Sequence, residues 1–284
     1  MHRRQFCRTV ATGTVGFAAV GSASASEAGV PGVVSTRGHF DVAWYGDYLV
    51  DGYTETDYEI EGTVPGYEGE SPEELVVMLH GYGQSVPDGR EIIDTAAAGF
   101  ASAGYDGPTV GYSWDSDFSQ LNWWDTVDIA GRNGPKLAQF CRDYRRRNPD
   151  TTLRVVGHSL GAEVVCNAVA ALDEADADGV IDSVTLLGAA VDDEAASLDA
   201  GLLEDEYGPE IERRVGRCDN FYKTDDETLT GQYEFAEWDD ALGAAGLEGE
   251  APANYTDHRV DYVAGHEAYF EDADGCAAAV VDTW

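Results

Sequence analysis

Lysine is almost absent from this sequence. Only Lys136 and Lys223 occur in 284 residues, and Lys and Arg together number 17 against 54 Asp and Glu, a formal net charge of −37. A surface that acidic repels phosphate backbones and anionic lipid headgroups, which argues against nucleic acid and against a membrane face as partners. Long apolar runs are missing too, and no stretch approaches the ~20 residues that a spanning helix needs. Cysteine is scarce (5 residues), and none stands in a CxxC or metal-ligand spacing, so no metal or organic cofactor is implied. Internal repeats and any linker that would divide two domains are also lacking. What remains is an ordinary apolar content of 43% with 11% aromatics. That is too much for a disordered acidic chain and enough for one large domain.

The charge balance resembles that of proteins adapted to extreme salt. Near 1 M salt the Debye length falls to about 3 Å, which screens a self-repulsion that would otherwise oppose compaction. At the N-terminus, Arg3-Arg4-Gln5-Phe6 precedes a mild apolar stretch from Val10 to Val20, and Ala23-Ser24-Ala25 offers a small-residue cleavage site. Residues 1–25 thus resemble a twin-arginine export signal. This implies handling by the twin-arginine translocation machinery and an extracellular or cell-surface location. Cleavage there would remove three Arg and no acid, leaving Cys141, Cys166, Cys218 and Cys276. Export permits disulfides, four cysteines allow three pairings, and buried free thiols fit the pattern equally well.

Residues 26–35 read as a flexible junction, and 36–284 as a single domain. From 54 to 62 acids and apolar or Thr residues alternate, a half-exposed antiparallel strand that the Asp51-Gly52 turn would pair with Val42–Val50. Beyond Pro72 the pattern changes. Short continuous apolar runs at Leu75–Leu79, Thr109–Tyr112, Leu153–Val156, Val184–Leu187, Phe221-Tyr222 and Val260–Val263 predict strands buried on both faces. Helical patterns separate them: Ile92 to Phe100 after Pro87, Leu137 to Tyr144 ending at Asn148-Pro149, and Val164 to Leu172. Alternation of this kind predicts an α/β fold with a mainly parallel sheet, helices on both faces and an antiparallel N-terminal hairpin. Residues 197–216 and 228–257 lack strand character and are expected to form cap or lid insertions.

The chemistry centres on Gly157-His158-Ser159-Leu160-Gly161, which sits between a buried strand and a small-residue helix. A serine hydroxyl is a weak nucleophile, and it must be exposed and aimed at a base. A sharp strand-to-helix turn exposes it and sets the helix dipole beside a developing oxyanion. In this context the chain, over roughly residues 74–284, resembles the α/β-hydrolase superfamily, in particular its lipase and esterase branch. Leu75-Val-Val-Met-Leu-His-Gly-Tyr resembles the family's strand and His-Gly loop. The resemblance implies Ser159 as nucleophile and an oxyanion hole formed by the N–H groups of Tyr82 and Leu160.

The family order of Ser, then acid, then His leaves only His258 and His266 as bases. His266 follows the last apolar run at a Gly turn, whereas His258 precedes that run and belongs at the other edge. His80 and His158 read as structural imidazoles. For the acid, the Asp-x-x-Leu form at Asp226 resembles the family's acid loop, with Asp225 and Asp192 as alternatives. Tyr112, Trp114, Trp123 and Trp124 would either line an acyl pocket or cover the sheet edge. The implied activity is ester hydrolysis, as esterase or lipase on a small-molecule or lipid ester. Peptidase, amidase or thioesterase action with the same residues is the first rival, and a non-catalytic binding protein the second.

Overall fold

The computed structural model describes residues 32–43, 46–67, 69–117, 123–199, 207–237 and 239–284. The export signal expected at 1–25 and the junction to residue 31 lie outside the described residues. So does residue 200 with 201–206, within the first expected insertion.

The elements follow from the apolar runs. Strands β1 (Val33–Ser35), β2 (Phe40–Ala43), β3 (Gly46–Leu49), β4 (Glu59–Glu61) and β5 (Glu74–Leu79) lead to helix α1 (Val86–Ser102). Then come β6 (Thr109–Ser113), α2 (Trp123–Arg147), β7 (Thr152–His158), α3 (Gly161–Glu174) and β8 (Ile181–Leu187). The chain continues through α4 (Gly208–Arg214), β9 (Val215–Tyr222), short helices α5 (Glu234–Glu237) and α6 (Leu242–Ala245), β10 (Tyr255–Arg259) and α7 (Ala277–Val281). One sheet runs in the order β10-β9-β8-β7-β5-β6-β1-β4; all its neighbours are parallel except the β1–β4 edge pair. Alternate residues of β5 serve opposite faces. Leu75, Val77 and Leu79 pack into the layer with α2 and α3, and Val76 and Met78 into the layer with α1 and α7. Burial on both sides is why these strands read as unbroken apolar runs. The fold is the α/β-hydrolase architecture expected.

Several boundaries differ from the sequence reading. Val33–Ser35, expected in the junction, is a strand: Val33 and Val34 are buried and pair in parallel with β6. The hairpin is not built on Asp51-Gly52. Instead β2 pairs with β3 as a separate two-stranded sheet, Phe40 facing Leu49, while Ile60 pairs with Val34. A second turn diverts the chain after Gly52, where Thr54 N–H donates to Asp57 Oδ2 at 2.8 Å and Tyr53 stacks on buried His39. The last strand is Tyr255–Arg259 rather than Val260–Val263. Val260 and Val263 are buried in a turn against the α1–α7 layer. The stretches expected to lack strands are shorter than 197–216 and 228–257, since 215–216 open β9 and 255–257 open β10, both in the main sheet.

The four cysteines Cys141, Cys166, Cys218 and Cys276 are buried free thiols. Burial pushes the thiols of Cys141 and Cys276 up to about 12, which keeps them unreactive. Both lysines are buried as well, so among the described residues Arg alone supplies exposed strong cations. No helix among the described residues is long and apolar enough to cross a membrane.

Acid crowding has an energetic consequence at Asp193. Burial, then its neighbours Asp192, Asp239, Glu248 and Asp240, raise its carboxyl to about 7. The unfolded value is about 3.9. The folded chain therefore holds a proton that the unfolded chain releases, and stability falls as pH rises between those two values. Asp193→Asn mimics the protonated form. It is expected to raise Tm at about pH 8 and to change it little at about pH 3, below both values, where the carboxyl is mostly protonated in both states. Melting curves across that range check the sign.

Candidate active site

Ser159 sits between β7 and α3 at φ 53°, the left-handed region that non-glycine residues rarely occupy. The turn is pinned on two sides. Ser159 N–H donates to the Leu187 carbonyl of β8 at 3.0 Å, and its own carbonyl accepts from Ala162 and Ala190. Gly161 lets α3 approach β5, since a Cβ there would fall 2.7 Å from the His80 carbonyl oxygen. Such strain is retained where the surrounding structure overdetermines it, and here it aims Oγ out of the turn.

His266 Nε2 lies 2.8 Å from Ser159 Oγ, and His266 Nδ1 lies 2.8 Å from Asp226 Oδ2. A carboxylate only accepts, so Nδ1 carries the proton and Nε2 is left to accept the serine hydroxyl. Asp226 is buried, which by itself raises its pKa. The hydrogen bond and charge of His266 and the Leu229 N–H outweigh burial, so the carboxyl titrates below its ordinary range. Its Oδ1 accepts from the N–H groups of Thr228 and Leu229 at 3.1 and 3.2 Å, and Oδ2 also from the Tyr269 hydroxyl at 3.2 Å. The other acids of the sequence reading stand elsewhere. Asp225 pairs with Lys223 and its side chain is 73% exposed, while Asp192 accepts from Glu194 N–H at 2.9 Å. His258 lies in β10, 2.7 Å from Asp219 Oδ1 and stacked on Phe221.

His158 is buried with Nε2 2.8 Å from the His266 carbonyl, a bond that ties the residue before Ser159 to the backbone of His266. Burial and the nearby His266 lower its pKa to about 4, so it stays neutral and donates. His80 is also buried and lies behind the His-Gly loop. Burial, then Arg37, lower it to about 3. Gly81 abuts the nucleophile, since a Cβ on it would fall 2.7 Å from Ser159 Cβ. Tyr82 follows at the rim, and Leu160 precedes α3 at the other side of Ser159.

A cavity of about 210 Å³ opens over Ser159 and His266, walled by Tyr82, Trp123, Leu229 and Tyr233. A second cavity, of about 310 Å³, shares Trp123, Ala190 and Tyr233 with it and carries Glu163, Asp192, Glu237 and Asp239. The aromatic cluster of the sequence reading divides. Tyr112 and Trp114 are buried under the sheet end, Trp124 is 59% exposed, and Trp123 alone of the four reaches the cavity over Ser159. No group of three or more potential metal ligands lies among the described residues. Sequence reasoning missed Tyr269 and Arg37. Tyr269 stands three residues after His266, and that spacing on one helical turn was the available signal. Arg37 had no local signal, because its contacts come from distant elements.

The chain belongs to the family described as "Alpha/beta hydrolase of unknown function (DUF900)", whose model matches residues 67–231. That stretch holds Ser159 and Asp226 but stops short of His266. No curated protein matches the chain. Among solved structures it is similar to the catalytic core domain of acetyl xylan esterase from Trichoderma reesei, at 13% identity, covering 75% of this chain and 98% of that one, with a TM-score of 0.42. It is also similar to XC6422 from Xanthomonas campestris, titled a member of a/b serine hydrolase without lid, at 15% identity, 75% and 83% coverage and a TM-score of 0.40. A third likeness is to Trichoderma reesei cutinase, at 22% identity and a TM-score of 0.31. It covers 42% of this chain, and the chain spans about half the length of that cutinase (52%).

Proposed function

We propose that the protein is an exported, salt-adapted serine hydrolase that cleaves carboxylic esters with short acyl groups through an acyl-enzyme on Ser159. The observation that carries this reading is the hydrogen-bonded line from Ser159 Oγ through His266 to Asp226, opening on a cavity. His266 Nε2 takes the Ser159 proton as Oγ attacks the ester carbonyl, and Asp226 stabilises the imidazolium. The N–H groups of Tyr82 and Leu160 meet the tetrahedral oxyanion. His266 then returns the proton to the leaving alcohol, and water repeats the sequence to release the acid. The small cavity volume, about 210 Å³ behind aromatic walls, supports a short acyl chain. The carboxylates of the adjoining cavity disfavour anionic substrates. Arg3-Arg4 and the small-residue segment that follows support export, and the charge of −37 supports the salt adaptation.

A fluorophosphonate probe in high salt tests the class: wild type is expected to label, and Ser159→Ala not. A panel of neutral esters from acetyl to long acyl chains, with an anionic ester for comparison, tests the substrate. The neutral short-chain esters are expected to give the highest kcat/KM. Labelling with no ester turnover but with amide or thioester turnover would replace the substrate class while keeping the mechanism.

A further inference from the structure

Arg37 lies outside the stretch matched by the family, in the turn after β1, yet its guanidinium reaches the rear of the loop from His80 to Gln84. Its Nε donates to Ser113 Oγ at 2.9 Å and its Nη2 to the Gln84 carbonyl at 3.0 Å. Nη2 also lies 3.1 Å from His80 Nε2. A guanidinium carries only donors, so it can meet that nitrogen only at its lone pair. The Trp114 N–H points at the same atom from 3.3 Å. Two donors on Nε2 place the imidazole proton on Nδ1. That atom lies 3.1 Å from the Gly81 carbonyl, with Ser116 Oγ as a second acceptor at 3.4 Å. The opposite tautomer would set Nε2–H against two donors and the Nδ1 lone pair against a carbonyl. The ring is buried and lies parallel to the Trp114 indole at 5.8 Å.

The Gly81 carbonyl belongs to the same peptide as the Tyr82 N–H. That peptide is planar and trans, so holding one group fixes the direction of the other on the opposite side. We propose that Arg37, acting through His80, is a positioning residue for the oxyanion: it selects the Nδ1–H tautomer, whose bond to the Gly81 carbonyl orients the Tyr82 N–H. This rests on the acyl-transfer reading above. It also assigns a task to the segment before the family match, which supplies the part that holds the loop from behind. Neutrality of the ring, favoured by its burial and by Arg37, keeps this arrangement across the working pH range.

The test uses the full chain with Arg37→Met and Arg37→Lys, each checked by its melting curve. Three readouts separate positioning from a structural staple: kcat and KM on a short neutral ester, affinity for a trifluoromethyl ketone whose hemiketal oxygen occupies the oxyanion position, and NMR of the imidazole nitrogens. In wild type, His80 is expected to carry its proton on Nδ1. Complete loss of an oxyanion donor costs about 10²–10³ in rate, so misorientation in Arg37→Met is expected to lower kcat by about 10–100-fold. KM is expected to stay within about two-fold, because the donor acts on the transition state. Ketone affinity is expected to fall in parallel with kcat, and the pH profile set by His266 to keep its shape. Arg37→Lys, which keeps the charge but not the fork, is expected to recover part of the loss, and it is the variant read if Arg37→Met does not fold. A wild-type His80 protonated on Nε2, or a folded Arg37→Met with wild-type kcat and ketone affinity, overturns the proposal alone. A wild type that neither turns over esters nor binds the ketone overturns the acyl-transfer reading, and the proposal with it.

Discussion

Ser159→Ala is expected to lower ester turnover by about 10⁴–10⁶-fold and to abolish phosphonate labelling, because removal of a nucleophile leaves only the binding and oxyanion contributions. The substitution removes one oxygen and keeps Cβ, so the turn at φ 53° bears the same backbone strain in both proteins. The bonds that pin the turn, to Leu187, Ala162 and Ala190, are all backbone bonds and survive. The melting temperature is therefore expected to stay within a few degrees, since changes that spare packing and backbone bonds are commonly small. Loss of activity with an intact fold would then report chemistry alone. A Ser159→Ala protein that still takes up the probe would remove Ser159 from the mechanism.

Asp226→Asn is the second large effect, with an expected loss of about 10⁴ in kcat, the size seen when a base is left in the wrong tautomer. Every contact of Asp226 is with a donor: His266 Nδ1 and the Tyr269 hydroxyl on Oδ2, the N–H groups of Thr228 and Leu229 on Oδ1. An amide brings its own donor into that ring. If the NH₂ faces His266, the proton moves to Nε2 and no lone pair faces Ser159. If it faces Thr228 and Leu229, their N–H groups lose an acceptor. Asp225→Asn and Asp192→Asn are expected to stay near wild type, because neither carboxylate touches His266. A loss in either that matched Asp226→Asn would move the acid assignment. The depressed pKa of Asp226 also contributes to stability against acid. Its stabilising contribution is present above the unfolded value of about 3.9 and is lost as pH falls through the lower folded value.

Much of this was legible in the chain, and the exceptions share causes. The strands β5, β6, β7 and β8 announced themselves because burial on both faces forces unbroken apolar runs. The last strand did not. Tyr255–Arg259 is an edge strand in which only Tyr255 is buried, and its Thr256-Asp257-His258-Arg259 carries no such run, while the apolar Val260 and Val263 serve a buried turn. The first half of α2 was hidden by Gly131, Gly134 and Pro135, which break a helical reading but are tolerated where the helix packs on α3. Strand β1 was hidden because three residues carry no periodicity, and only its pairing with β6 and β4 makes it a strand.

The acid shows the limit most directly. Asp192, Asp225 and Asp226 all follow apolar runs in a chain with 54 acids, so local pattern had little power to separate them. By itself the sequence determined the class of fold, the turn that exposes Ser159 and the approximate place of His266, because each depends on apolar periodicity and glycine spacing within a short segment. Only the tertiary structure decided which carboxylate meets His266 and which imidazole stays neutral. It also decided what holds the His80 loop, because Asp226, His158 and Arg37 act through atoms from elements 40 to 108 residues away in the chain. Such distances are set by sheet order, and sheet order has no local signature.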